Sequence, residues 1–315
     1  MKTISIIAFS ISLAILALVV SQQRAAEKDY LKKETFVKQL NKDTFFTKLR
    51  KLPPQWMEEQ ISEDFQEFTS ITKAKVDATF SKFEYIPNSY IVRYRIYNRE
   101  LYRFLPAGEL ISSVDNSTEQ ALKTLIRLLP LPDMDFIFSY FDGIPLPPGL
   151  PNEYIFASSK ELQAPVFFSA KLKNTQSVVL IPDARSIGNW WISDIKTIKS
   201  KMAKIPWEEK KNFALWRGSL TRPNRLKLCE LSKLYPNYLD AKLSDKVNDD
   251  TRQKELEDAG LFGGKVSWEE FLSCKYLPTM DGVMCAAPAL QWRLLSNSVT
   301  FKPETNEIQW FYRAL

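Results

Sequence analysis

Residues 213–225 read Phe213-Ala-Leu-Trp-Arg-Gly-Ser-Leu-Thr-Arg-Pro-Asn-Arg225. Phe213 to Trp216 is a short apolar run of the kind that forms a buried strand. It gives way to Arg217, Gly218, Ser219, Thr221, Arg222 and Arg225. From Arg225 to Leu234 the sequence predicts an amphipathic helix, with Leu226, Leu228, Leu231 and Leu234 partly on one face. A strand that turns directly into a helix leaves free backbone N–H groups beside a positive dipole end, which suits an anion. Arginines add bidentate hydrogen bonds to phosphate oxygens, and Ser/Thr hydroxyls add neutral donors. The segment therefore predicts a diphosphate clamp, although the same residues also describe an exposed basic turn.

The surrounding sequence repeats the alternation of strand and helix. Helical spacing covers 29–52, 54–68 and 118–129, and strands are predicted at 90–97, 136–141, 166–169 and 178–181. Asn98-Arg99-Glu100 reads as a turn. Helices are predicted at 268–276 and 289–295, a strand at 298–302 and a final helix near Glu307. Such alternation predicts an α/β fold. Six prolines between Leu129 and Asn152 mark a stiff, irregular loop, and a domain boundary is placed between residues 182 and 193. The predicted division is 1–22, 23–185 and 186–315.

Ile4 to Val20 is a stretch of seventeen residues without a charge, preceded by Lys2. It predicts a signal peptide, with Val19 and Ser21 as small cleavage-site residues, or a membrane anchor at the lower limit of length. Either places the protein in the secretory route, in its lumen or attached to a membrane.

Composition removes several chemistries. The 315 residues include no histidine, which excludes Ser-His-Asp and Cys-His nucleophile systems and His-ligated zinc. Cys229, Cys274 and Cys285 form no CxxC pair and read as buried, unpaired residues. The nine glycines build neither GxGxxG nor GxxxxGK[ST]. The net charge is +6, and residues 24–51 hold nine Lys/Arg against four Asp/Glu. That run reads as the solvated face of a helix, and no nucleic-acid motif accompanies it. Acid–base work at neutral pH falls to carboxylates.

One carboxylate is Asp142, after the strand Phe136-Ile-Phe-Ser-Tyr-Phe141 and before Gly143. Ligands of open α/β sheets sit at the carboxyl ends of strands, so Asp142 is a candidate general base. An Asp before Gly is also a common turn cap. Asp133-Met134-Asp135 has the DxD form of many metal-binding sugar transferases, but lies at the start of a strand; Asp133 reads as a cap or solvent residue, and no metal is expected.

Four stretches in order resemble glycosyltransferase family 90, which includes protein O-glucosyltransferases, capsule xylosyltransferase relatives and lipopolysaccharide-modifying proteins. They are LPDMDFIFSYFDGIP; APVFFSAK with IPD and Gly188-Asn189-Trp190; PWEEKKNFALWRGSLTRPNR; and CKYLPTMDGV with WRLLSNSVTFK and IQWFYRAL. The resemblance implies a GT-B-like fold of two Rossmann-like halves with a cleft between them. It implies inverting, metal-independent transfer of glucose or xylose from a UDP-sugar to a protein or glycan hydroxyl, with no cofactor. Asp142 would be the base, and Ser219 and Arg225 would hold the diphosphate. Arg217, Gly218 and Thr221 would shape the turn, and Gly188 would lie near the donor. Val283, Cys285, Ala286, Ala287 and Pro288 would line the nucleotide-sugar pocket, and Arg293 would replace an arginine that relatives carry nearer the Asp-Gly pair. The resemblance also implies a further strand and helices beyond Leu315; without them the alternative is a catalytically silent nucleotide- or glycan-binding relative.

Overall fold

The computed structural model describes residues 53–83, 91–104, 116–140, 162–183, 189–286 and 288–315, with Thr47, Lys51 and Ser186 besides. The apolar segment 4–20 and the candidate base Asp142 lie outside the described residues, as do Gly188 and Ala287. Residues 53–315 form one compact unit of mixed α/β structure. Among the described residues no helix is long and apolar enough to cross a membrane.

The first sheet has the order β2-β1-β3-β4-β6. Its strands are β1 (Ile91–Tyr97), β2 (Glu100–Phe104), β3 (Met134–Ser139), β4 (Val166–Phe168) and β6 (Val178–Leu180). β2, β1 and β3 are antiparallel neighbours, whereas β3, β4 and β6 run parallel. The turn joining β1 to β2 places Asn98 at φ 50° and Arg99 at φ 63°. Two successive positive φ values match the right-handed twist of a hairpin. The Asp133 carboxylate accepts the Asn98 N–H at 3.0 Å, and Arg99 donates to the carbonyls of Ile126 and Arg127 at the end of α3 (Asn116–Leu128).

Helices α1 (Gln55–Phe65) and α2 (Lys73–Ser81) precede this sheet. Val76, Phe80 and Phe83 join Ile91, Ile137, Val166, Phe168 and Val178 in its core. A buried polar knot fixes α1. Asp64 accepts from Lys171, from Gln60 Nε2 at 2.8 Å and from the Leu180 N–H at 2.8 Å.

The second sheet, β10-β9-β7-β8, is parallel throughout. It contains β7 (Lys211–Gly218), β8 (Leu239–Leu243), β9 (Cys274–Pro278) and β10 (Val299–Phe301). Both faces are covered, as parallel sheets require. Trp216, Ala241 and Leu243 pack on one face with Cys229 of α5 (Pro223–Leu234) and Leu256 of α6 (Asp250–Asp258). Leu215 and Leu277 face the other way. They meet Ile198 of α4 (Asn189–Met202), Leu272 of α7 (Trp268–Leu272) and Trp292 of α8 (Ala289–Leu294). A last strand, β11 (Glu307–Gln309), pairs antiparallel with β5 (Ala170–Leu172).

Three local readings are corrected. The helix predicted over 268–276 stops at Leu272, because Cys274 to Pro278 is drawn into the sheet between β7 and β10. A Ser267/Glu270 capping box starts that short helix. The final helix near Glu307 is instead β11 followed by a 3₁₀ turn at Tyr312–Ala314. On α5, Leu231 and Leu234 are 44% and 73% exposed, and Cys229 and Ser232 face the sheet. Ser232 Oγ donates to the Leu239 carbonyl and accepts the Ala241 N–H, so a hydroxyl occupies a position where leucine pattern reading expects a leucine.

Asp64→Ala leaves Lys171, 5% exposed, without its carboxylate. Removing one member of a buried ion pair costs about 3–5 kcal/mol. A loss of that size is expected in urea unfolding; a loss below about 1 kcal/mol would contradict the assigned role.

Candidate functional site

The turn 218–222 leaves the carboxyl end of β7, and the residues after β9 emerge beside it, because β9 is the neighbour of β7. β8 lies on the other side of β7. Strand order thus reverses at β7, and in open α/β sheets the crevice at such a reversal, outside the carboxyl ends, receives ligands.

Arg225 spans this crevice. Its Nη1 donates to the Ser219 carbonyl at 2.9 Å, Nε to the Asp281 carbonyl at 2.8 Å and Nη2 to the Met280 carbonyl at 3.0 Å. A guanidinium has five N–H donors, so two have no partner among the described residues. The cation rests 5.8 Å from the Trp216 ring centre. Two glycines make room for it. A Cβ on Gly218 would lie 2.6 Å from the Trp216 ring and 3.4 Å from Arg225 Nη1; one on Gly282 would lie 3.3 Å from Nη2.

Burial lowers the Arg225 pKa, and the nearby Arg222 charge adds to the effect, although the charges of Asp281 and Asp245 oppose it. Arg293, on α8, is 3% exposed, and its side chain has no hydrogen-bond or ion-pair partner among the described residues; its Nε is buried and unsatisfied. Its guanidinium lies 4.6 Å from the Trp292 ring centre. Burial pushes its pKa down to about 9, and the charge of Arg225 pushes the same way. The cation survives at neutral pH, so the buried Arg293 senses the partly buried Arg225 and has no ion-pair partner of its own among the described residues. A buried charge of this kind is costly until an anion joins it.

The other basic residues of the segment are committed. Arg217 forms a two-pronged pair with Asp240 of β8, and Arg222 donates to the Val283 carbonyl at 2.6 Å and to Glu307 at 2.8 Å. Ser219 donates its hydroxyl to Asp245, a residue that sequence reasoning missed. The Thr221 N–H bonds the Ser219 carbonyl at 3.0 Å and its side chain is exposed. No acid occupies the first turn of α5, so no carboxylate on the helix itself competes for its positive end.

Beyond β9, Val283 supplies its carbonyl to Arg222, whereas Met284 and Cys285 sink into the core of the first sheet. Ala286 is buried, and its carbonyl accepts from Leu290; Pro288 is the residue that precedes α8. Burial pushes the Cys229 thiol up to about 11 and the Cys285 thiol up to about 12, so neither is a thiolate nucleophile. Asp281 is 2% exposed; it accepts from Lys302 and Thr305 through Oδ2, and Oδ1 is unsatisfied.

The DxD string stands apart from this crevice. Asp133 and Asp135 line a groove of about 630 Å³ with Ile71, Lys73, Arg95 and Phe167. Burial raises the Asp135 pKa, but hydrogen bonds from Arg93 and Arg95 outweigh it and hold the carboxyl below its usual value. Its oxygens are already bonded to two guanidinium groups, a poor starting point for a metal ligand.

A family model described as glycosyl transferase family 90 matches residues 53–315. Protein O-glucosyltransferase 3 of Homo sapiens is 26% identical over 264 residues, 82% of this chain and 49% of that protein. O-glucosyltransferase rumi of Drosophila pseudoobscura pseudoobscura is 27% identical over 240 residues, 72% of this chain and 54% of its own. The Drosophila melanogaster rumi protein is 28% identical over 231 residues, with 72% and 54% covered. The chain thus spans about half the length of these curated relatives.

Arg293→Met removes a buried charge and keeps an apolar shape. In the absence of anions it is expected to resist urea better than the wild type by roughly 1–4 kcal/mol. Inorganic pyrophosphate is expected to raise the Tm of the wild type and to leave that of the variant unchanged. A destabilised variant that still responds to pyrophosphate would contradict the unpaired-cation reading. The sign with pH follows from the lowered pKa: the cost of the buried charge is full below about pH 9 and is relieved as pH rises beyond it, because the unfolded chain then holds the proton more tightly.

Proposed function

From membership of this chain in glycosyl transferase family 90, we infer that it transfers glucose or xylose from a UDP-sugar to a hydroxyl of a protein or glycan acceptor. The names of the relatives favour glucose and a protein acceptor. The observation that carries the reading is Arg225, a partly buried cation held by three carbonyls in the crevice where β7 turns into α5, whose charge is felt by the buried, unpaired Arg293 of α8.

The chemistry is a single displacement. The acceptor oxygen attacks the anomeric carbon as the bond from that carbon to the diphosphate oxygen breaks. Configuration inverts, and the acceptor proton passes to a carboxylate, for which Asp142 is the proposed base. The departing UDP gathers negative charge on its terminal phosphate. The two free N–H donors of Arg225, the Arg293 cation and the positive end of α5 stabilise that charge in a site prepared in advance. These groups neutralise the diphosphate without a metal ion. The halves built on the two sheets correspond to the two lobes of a GT-B enzyme in this proposal. The apolar segment 4–20 supplies entry to the secretory route or attachment to its membrane.

The test uses the full chain, a panel of UDP-sugars and a protein acceptor, scored for released UDP with and without a chelator. Release with one donor, unaffected by chelation, is expected. Asp142→Asn should abolish transfer and leave UDP affinity nearly unchanged, and Arg225→Ala should weaken UDP binding about 10–100-fold, the scale of one charge-assisted hydrogen bond. Normal turnover by the Asp142 variant would remove the base, and unchanged UDP affinity in the Arg225 variant would remove the clamp.

A further inference from the structure

Asp245 stands two residues beyond β8, the strand that pairs with β7 up to Gly218↔Leu243. The Ser244 N–H bonds the Gly218 carbonyl at 3.0 Å, which fastens the two strand ends together. This brings the Asp245 carboxylate onto the turn, where Oδ2 accepts the Ser219 hydroxyl. Oδ1 has a loose contact with Lys265, whose Nζ is 3.5 Å away and whose side chain is 82% exposed. The Asp245 side chain is itself 43% exposed. A carboxylate offers about four acceptor positions, and Ser219 uses one.

A negative group beside a diphosphate opposes binding of the phosphates themselves. Its chemistry suits neutral donors, and the groups next to a diphosphate in a nucleotide-sugar are sugar hydroxyls. The position has a physical precedent in parallel α/β folds, where an acid at the end of the second strand accepts hydroxyls of a bound nucleotide's ribose. We propose that Asp245 is a specificity-determining residue that accepts a pair of hydroxyls adjoining the diphosphate, those of the ribose or of the transferred sugar. The proposal rests on the diphosphate reading of the crevice. It also assigns Ser219 two states. Without ligand its one hydroxyl proton is held by Asp245, and when ligand hydroxyls occupy the carboxylate that proton is released to a phosphate oxygen.

Calorimetric titration of the full chain separates the alternatives, with inorganic pyrophosphate, UDP, 2′-deoxy-UDP and UDP-glucose as probes. The wild type should prefer UDP to 2′-deoxy-UDP by about tenfold or more, as expected for a hydrogen bond to a charged group. In Asp245→Ala that preference should collapse, while pyrophosphate binds as well as before or tighter, because a like charge has gone and Ser219 is released. Asp245→Asn should fall between the two. If the ribose preference is absent but the affinity ratio of UDP-glucose to UDP drops about tenfold in Asp245→Ala, the hydroxyls are those of the transferred sugar. Both ratios unchanged in the variant, or pyrophosphate affinity lost together with them, would overturn the proposal and leave Asp245 a structural residue. Failure of the wild type to bind pyrophosphate or UDP would instead bring down the diphosphate reading and this one with it.

Discussion

The crevice depends on a guanidinium that holds two pieces of backbone together. Arg225 uses three donors on the carbonyls of Ser219, Met280 and Asp281, which belong to segments leaving two adjacent parallel strands. The turn after β7 and the loop after β9 are thus set by one planar group, and a planar group tolerates little variation in their separation. Trp216 provides the floor, and the absence of side chains at Gly218 and Gly282 provides the space. The same cation that organises the backbone has two N–H groups without a partner among the described residues, so under the proposed function positioning and recognition are not separate tasks.

Charge pairing divides the arginines of the described residues into two kinds. Arg93 and Arg95 are matched by Asp135, Arg217 by Asp240 and Arg222 by Glu307. Each such pair costs desolvation and returns it locally, which makes it structural. Arg225 and Arg293 have no carboxylate within ion-pair distance, and both are shifted toward the neutral form by burial. A protein that keeps a cation such as Arg293 out of water without a side-chain partner sacrifices stability at that spot, and marginal stability makes such a sacrifice informative.

The turn could be read from sequence because its punctuation is local. An apolar run, a glycine, hydroxyls and a proline at the first helical position describe a strand-to-helix junction without tertiary information. Cys274 to Pro278 could not be read so, since the five residues Cys-Lys-Tyr-Leu-Pro following a short helix have no clear period of their own, and pairing with β7 and β10 decides it. Asp245 was hidden for a related reason. The strand at 239–243 is not among those expected from the sequence, its adjacency to β7 is topology, and a carboxylate two residues past its end looks like any loop acid. Arg293 was legible as a residue and illegible as a state, because burial without a partner is a property of packing. Leu231 and Leu234 show the converse: apolar letters at helical spacing ended on the exposed side, while a serine with two backbone bonds took the inner face.

The strand β11 and the 3₁₀ turn after it return to the beginning of the described fold. β11 adds to β5, the Trp310 ring sits 5.9 Å from that of Trp56, and Arg313 Nε donates to Gln60 across 253 positions of sequence. Loop closure over such a span is entropically demanding and proceeds late. As the chain leaves the ribosome, α1 therefore waits for nearly the whole of its own unit before its outer contacts exist. Until that stretch is available, Trp56 and Gln60 lack the partners that Trp310 and Arg313 give them in the finished molecule.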